Sequence, residues 1–316
     1  MLLTAMALGW ISQQTPKPKY PDPQRSAWIV SWNPNCLKAL KARRAKLSEI
    51  LPGWLTVQPD GSVKYAYGVT PQFRAEVRKI TAGKIHLLGM INNYGENGFE
   101  PTRITKMLAT PASRKRHIDQ LLQFIKVDKL DGLDLDYEAM KADDVDRYSA
   151  FVRELKAAMG KKHLSVTVHA KETDKVGWEA PNAQDWKALG AAADSVRIMA
   201  YDFHWDTSEP GAIAPNDWVE RVVKYALTRV PREKLRLGVA GYGYDWSRKP
   251  ALSLRIEDFN PREAVMDLMS GELMKEKVYF SGSQAMWAKH GIAKRYGIPG
   301  ITIWYLGSDD PEFWNR

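Results

Sequence analysis

The chain has 316 residues, and its 46 lysines and arginines against 37 aspartates and glutamates leave a net charge of +9. Its 44% hydrophobic and 26% charged residues are ordinary for a globular protein and argue against long disorder. The single cysteine, Cys36, excludes an internal disulfide framework and a cysteine-rich metal centre. The length suits one large α/β barrel or two smaller domains. The basic excess favours an acidic partner, whether nucleic acid, anionic lipid or an anionic wall polymer, and no nucleic-acid-binding signature accompanies it.

Residues 1–26 read as an N-terminal tail or the remnant of a signal segment. Met1–Ile11 is apolar and is followed by a polar, proline-rich run through Pro23. That apolar run is too short to cross a bilayer and resembles the core of a secretory signal, although no basic segment precedes it. The expected location is therefore secreted or cell-envelope. No other stretch is long and apolar enough for a membrane helix.

Residues 27–316 alternate strand-like and helical runs to the end. Strands are expected at Ala27–Asn33, Ile50–Val57, Lys84–Asn93, Gly132–Glu138, His163–Ala170, Ser195–Asp202, Lys234–Tyr242 and Gly300–Leu306. Helices are expected at Leu37–Glu49, Pro71–Thr81, Pro111–Lys126, Asp143–Met159, Asn182–Ala193, Asn216–Val230 and Ser283–Tyr296. Thr70-Pro71 and Ser113 mark helix starts. Eight such alternations favour a single (β/α)8 TIM barrel, class α/β, with a short insertion after the seventh strand. No phosphate-cradling glycine motif is present.

The most informative stretch is Leu130-Asp131-Gly132-Leu133-Asp134-Leu135-Asp136-Tyr137-Glu138. In a strand, alternate side chains share a face, so Asp134, Asp136 and Glu138 form a ladder with steps of about 6.6–6.8 Å. On spacing alone a solvated edge strand or a hard-cation site fits as well. However, Leu133, Leu135 and Tyr137 on the other face are apolar, and strands of a parallel sheet are covered on both sides. Acids in that setting are costly unless they do chemistry or share protons.

Sites on such barrels sit at the C-terminal strand ends. There the chain places Trp32 and Asn33, then Asn92, Asn93 and Tyr94, then Asp136 and Glu138, then His169. Tyr201, Asp202, Tyr242, Tyr244 and Trp304 complete the ring. Carboxylates flanked by aromatics and amides suit glycoside hydrolysis, since sugar faces stack on aromatic rings and sugar hydroxyls need polar partners.

Asp131–Glu138 resembles the DGxDxDxE signature of glycoside hydrolase family 18, the chitinase-type barrels. Met199-Ala200-Tyr201-Asp202 resembles that family's MxYD segment, and Trp304 its tryptophan on the eighth strand. Similarity to the branch acting on spore-cortex or wall glycan extends to Pro52–Gly61, Ile91–Tyr94, Tyr242–Trp246 and Leu306–Trp314. The chain departs from chitinases proper in lacking a serine-glycine-glycine motif on the third strand. Only a short segment, about 247–282, stands where many chitinases carry an α+β subdomain.

The resemblance implies a retaining mechanism in which the substrate's own 2-acetamido oxygen attacks the anomeric carbon. It assigns Glu138 as acid and then base, and Asp136 as the group orienting the acetamido N–H. Asp134 would share a proton with Asp136, Tyr201 would bond the acetamido carbonyl, and Trp304 would floor the sugar. Substrate contacts are further expected from Asp202, Asn92, Trp32 and Tyr242, each of which is also explained by packing or local bonding. Asp131 is expected to bond the turn around Gly132, and His169 to be a packed histidine. The expected partner is peptidoglycan or another polysaccharide containing N-acetylglucosamine, with no cofactor, no metal, no nucleic acid and a monomeric chain. The alternatives are a chitinase, an endo-β-N-acetylglucosaminidase, and a sugar-binding protein on the same barrel.

Overall fold

A computed structural model describes residues 20–316, so the signal-like Met1–Ile11 run lies outside the described residues. Eight strands appear where alternation places them: β1 (Gln24–Ile29), β2 (Glu49–Val57), β3 (His86–Asn92), β4 (Gly132–Asp136), β5 (His163–His169), β6 (Ser195–Met199), β7 (Leu235–Ala240) and β8 (Gly300–Trp304). Each pairs in parallel with its sequence neighbours. β8 pairs back onto β1, with Gln24 opposite Gly300. The sheet is closed, and helices cover it from outside. The protein is a single (β/α)8 TIM barrel. Among the described residues no helix is long and apolar enough to cross a membrane.

Strand alternation sorts the two faces. Outward residues Leu133, Leu135 and Tyr137 join the large cluster between sheet and helices. Tyr137 stacks on Phe151 at 6.2 Å between centroids. His117 Nδ1 lies 2.9 Å from the Gly61 carbonyl and its Nε2 lies 2.7 Å from the Tyr137 hydroxyl. The carbonyl only accepts, so Nδ1 carries the proton and the tyrosine hydroxyl donates to Nε2. Burial pushes the His117 imidazole down to about 4, consistent with that neutral tautomer.

Inside the barrel a smaller apolar layer of Trp28, Val30, Leu51, Leu88, Met90 and Tyr305 fills the upper half. Below it lies a polar layer: Ser26, Glu49, Ser165, Arg197 and Thr302.

Several boundaries differ from the periodic expectation. The helix Pro111–Val127 is capped by Thr110, whose side chain accepts from Ser113 N; Ser113 is the fourth residue of a capping box rather than the cap. Asp185 accepts from Lys187 N and Ala188 N at 2.9 and 3.1 Å and starts a new helix. The expected Asn182–Ala193 helix is thereby split into Glu179–Asn182 and Trp186–Ala192. The helix Leu37–Glu49 ends early, at Arg43, with a 3-10 turn through Lys46, because Glu49 already opens β2. An unexpected helix, Pro101–Leu108, precedes Pro111–Val127. The insertion after β7 is a five-stranded antiparallel sheet running from Gly243–Asp245 to Val278–Phe280.

Gly132 opens β4 where the chain passes closest to β5: a Cβ there would sit 1.9 Å from the His163 carbonyl oxygen. Gly132→Ala is therefore expected to lower stability by about 2–3 kcal/mol or more through overpacking against rigid backbone. Thermal unfolding measures it, and a melting temperature equal to the parent's contradicts the close approach.

Candidate active site

The three acids of the β4 ladder occupy three different environments. Asp134 is fully buried. Its Oδ2 accepts from Trp28 Nε1 at 3.1 Å and Thr167 Oγ1 at 3.0 Å, and the same hydroxyl lies 3.1 Å from Oδ1. Arg197 Nε stands 3.7 Å from Asp134 Oδ1. That guanidinium is itself buried, donating to Ser165 Oγ at 2.8 Å and Thr302 Oγ1 at 2.6 Å, and it is ion-paired with Glu49.

One step higher, Asp136 Oδ1 is buried without a hydrogen-bond partner in the protein. Burial pushes this carboxyl well above the usual carboxylate range, and the charge of Asp134 adds to the rise. Glu138 lies two residues past the end of β4, its side chain 18% exposed to the barrel mouth. Desolvation raises it well above the ordinary value, with Asp136 and then Asp202 contributing. Its backbone is gripped by Asn93, whose Oδ1 accepts from Glu138 N at 2.9 Å and whose Nδ2 donates to Glu138 O at 2.8 Å.

The opposite wall comes from the ends of β6 and β7. Tyr201 is buried, its ring edge-on to Tyr242 at 6.1 Å. Burial holds the Tyr201 hydroxyl protonated, and the Asp136, Asp202 and Glu138 carboxylates reinforce this. Asp202 adopts a left-handed backbone, φ 57°, which aspartate tolerates better than most residues. Its Oδ1 accepts from the hydroxyls of Tyr242 and, at 3.3 Å, Tyr244. Desolvation pushes Asp202 up to about 6, and those two hydrogen bonds restrain the rise; the residue is still reached by solvent at the mouth. Trp304 meets Trp28 edge-on at 5.7 Å and Tyr305 at 5.6 Å.

The structure thus gathers Asp134, Asp136, Glu138, Tyr201, Asp202, Tyr242 and Trp304 at one end of the barrel. Two more of the predicted residues stand at the same end, Asn92 opposite Asp136 in register, with partners in the protein. Asn92 Oδ1 accepts from Tyr94 N at 3.2 Å and so serves the loop after β3. Trp32 packs edge-on to Tyr305 at 4.8 Å and is 59% exposed on the rim. Asp131 is structural, but its Oδ2 accepts from Leu87 N of β3 at 2.9 Å and does not bond the turn around Gly132. His169 ends β5 beside the acids, its Nε2 3.7 Å from Glu138 Oε2.

Sequence reasoning missed Trp28, Thr167, Arg197 and Gln184. Their signal is positional. Trp28, Thr167 and Arg197 sit on inward faces of β1, β5 and β6 level with or below Asp134, where a polar side chain needs a buried partner. The rim also carries exposed Tyr94, Trp178, Phe203 and Trp205.

Buried and mouth-facing acids ringed by tyrosine and tryptophan at the open end of a barrel are the parts a carbohydrate-cleaving enzyme needs. The chain belongs to the glycosyl hydrolases family 18, whose family model matches residues 26–309, and it is a glycosidase. It is 27% identical over 255 residues to an uncharacterized glycosylase, YvbX, of Bacillus subtilis, covering 73% of this chain and 74% of that protein. It is 25% identical over 279 residues to the cortical fragment-lytic enzyme of Bacillus cereus, covering 81% of this chain but 64% of that one. Among solved structures, the Bacillus cereus spore cortex-lytic enzyme SleL superposes with a TM-score of 0.83 at 23% identity, over 94% of this chain and 74% of its own. A chitinase from Chromobacterium violaceum gives 0.84 at 24% identity, over 92% and 96%. At those identities the two structures are alike in fold.

Asn93→Ala removes both bonds that fix the Glu138 backbone while leaving all three acids in place. It is expected to lower glycosidase kcat about 10- to 100-fold, since small misplacements at a site carry such costs. KM should change far less. Steady-state kinetics test this, and a KM effect with kcat intact assigns Asn93 to substrate contact instead.

Proposed function

We propose that the chain hydrolyses β-linkages at N-acetylglucosamine residues of peptidoglycan or a related wall glycan, by substrate-assisted retaining catalysis. One observation carries the reading: Asp136 Oδ1 is a buried, unpartnered acceptor between a hydrogen-bonded Asp134 and a mouth-facing Glu138. A buried acceptor left unpaired is costly, and the N–H of a 2-acetamido group is a donor that satisfies it. The same contact aims the acetamido oxygen at the anomeric carbon.

In the first half-reaction Glu138 gives its proton to the glycosidic oxygen. The bond from the anomeric carbon to that oxygen breaks as the acetamido oxygen bonds to the same carbon, leaving an oxazolinium ion. Asp136 balances the developing positive charge, and the proton it shares with Asp134 follows the charge. Tyr201, held protonated, donates to the acetamido oxygen. In the second half Glu138, now a carboxylate, takes a proton from water as the water oxygen bonds to the anomeric carbon and that carbon's bond to the acetamido oxygen breaks, restoring the N-acetyl group with retained configuration. Trp304 supplies an apolar floor.

The choice of a wall glycan is supported by the cortical fragment-lytic enzymes among the relatives, by the net charge of +9, and by the small insertion after β7. A wall substrate places the protein outside the cytoplasm. The chain spans under two thirds of the length of the cortical fragment-lytic enzymes it matches, so their activity enters only as support.

Three outcomes test the reading. Glu138→Gln should lower kcat by at least about 100-fold, the usual size of a general acid's contribution. A glycan whose N-acetyl groups have been removed should not be cleaved, since no oxazolinium can form; cleavage of it at the parent rate rules out substrate assistance. Mass spectrometry of fragments released from peptidoglycan should show N-acetylglucosamine at the new reducing ends. Turnover of chitin oligomers with none of peptidoglycan would favour a chitinase.

The pH dependence follows from the same carboxyls. Glu138 must be protonated to act first, and desolvation raises it, so the basic limb of kcat/KM should lie above the ordinary carboxylate range near pH 4.3. A basic limb at or below that range contradicts Glu138 as the acid.

A further inference from the structure

His169 ends β5 beside the β4 ladder, and the reaction as described gives it no task. Its Nε2 is buried, has no hydrogen-bond partner, and faces Glu138 Oε2 at 3.7 Å. The ring is walled on its outer side by Trp178, edge-on at 4.7 Å between centroids.

The spacing between the two residues is set by the backbone. His169 N donates to Gln184 Oε1 at 2.8 Å, and Gln184 Nε2 reaches the Tyr137 carbonyl at 3.4 Å. One fully buried amide therefore ties the end of β5 to the residue just before Glu138. Asn93 holds Glu138 from the other side. Two strand ends clamped in this way place an imidazole nitrogen and a carboxylate oxygen within one small side-chain rotation of a hydrogen bond. Such catalytic contacts are often long without substrate and tighten with it.

We propose that His169 is a positioning residue for Glu138: its Nε2–H donates to the Glu138 carboxylate once the acid has delivered its proton, and holds that oxygen for attack through water. This role rests on Glu138 being the acid and base of the proposed reaction. No proton passes to or from the imidazole. The N–H stabilises the ionised phase of the cycle, which the oxazolinium hydrolysis requires, against the desolvation that opposes it.

The neighbouring elements leave this pairing undisturbed. Lys171 donates to the Pro181 and Gln184 carbonyls, and Glu179 accepts from Ala142 N. Asp136 and Asp202 act on Glu138 itself. Burial pushes the imidazole down to about 3, so it is neutral over the working range and carries a single N–H. For donation, that proton must be on Nε2.

Two measurements test the proposal. In nitrogen-15 spectra of the histidine-labelled parent chain, His169 should be the neutral, Nε2-protonated tautomer from pH 5 to 8; the Nδ1-protonated form overturns the proposal. In kinetics on an N-acetylglucosamine oligomer, His169→Ala should lower kcat about tenfold, the size of one charge-assisted hydrogen bond, with KM nearly unchanged. Losing the donor destabilises the carboxylate, so Glu138 holds its proton to higher pH and the basic limb of kcat/KM moves up. His169→Gln, which keeps an N–H, should return the limb toward the parent position. If the Ala and Gln variants both keep the parent limb, His169 merely packs. Should His169→Ala fail to fold, the Gln variant and the nitrogen spectrum still decide. A parent chain that cleaves no 2-acetamido glycan overturns the role of Glu138, and this one with it. An active parent with an Nδ1-protonated His169 overturns this one alone.

Discussion

A carboxylate buried without partners costs several kcal/mol, and a protein normally avoids it by protonation or by pairing. Asp134 sits with no exposure inside the barrel, and the rest of the active end stands on how it is satisfied. Trp28, Thr167 and Arg197 reach it from β1, β5 and β6. Arg197 is in turn neutralised by Glu49 from β2 and bonded to hydroxyls on β5 and β8. Charge inside this barrel is therefore shared among strands that are distant in sequence, and a strand lost from the ring would leave a bare ion in the core.

That polar layer also grades the ladder above it. Asp134 Oδ2 accepts from Trp28 and Thr167, Asp136 has a buried oxygen with no partner in the protein, and Glu138 opens toward the mouth. Two aspartates on one face of β4 are followed by a glutamate two residues beyond the strand's end. Their surroundings differ with depth, and neighbouring carboxylates add to burial in raising the upper two. Burial and the charge of Asp134 raise the middle carboxyl, and burial, Asp136 and Asp202 raise the upper one. Tyr201, raised by burial and then by the same carboxylates, remains a donor throughout.

The eight strands were legible because a closed parallel barrel repeats one simple signal, a short apolar run flanked by an amphipathic helix. The ladder was legible because its period of two is strict and its outer face is apolar. Less legible were features set by single side chains against distant backbone. Thr110 displaced Ser113 as a cap because the capping box puts both hydroxyls at the same helix end. Asp185 split a helix whose periodicity runs on through it. Arg197 reads as an ordinary charge in Ser195-Val196-Arg197-Ile198, and only barrel closure brings Glu49 to it. Gln184 and Asn93 were invisible as clamps, since their partners are carbonyls and amides, which carry no residue identity.

Those two amides bear on why catalysis sits where the strands stop. Within β4 the backbone is committed to its neighbours, Asn92 opposite Asp136 and Leu135 opposite Val166. Beyond Asp136 that ladder ends, and the chain turns at Ala139 with φ 52°. Glu138 occupies the gap between the two, where backbone N–H and C=O groups are released from strand pairing and still buried. Unpaired, they would cost about as much as lost hydrogen bonds. Asn93 takes both backbone groups of Glu138, and Gln184 takes the carbonyl of Tyr137. Side chains thereby continue the sheet for two more residues without its flatness, and the acid is held rigidly at a point where the strand itself has already let go.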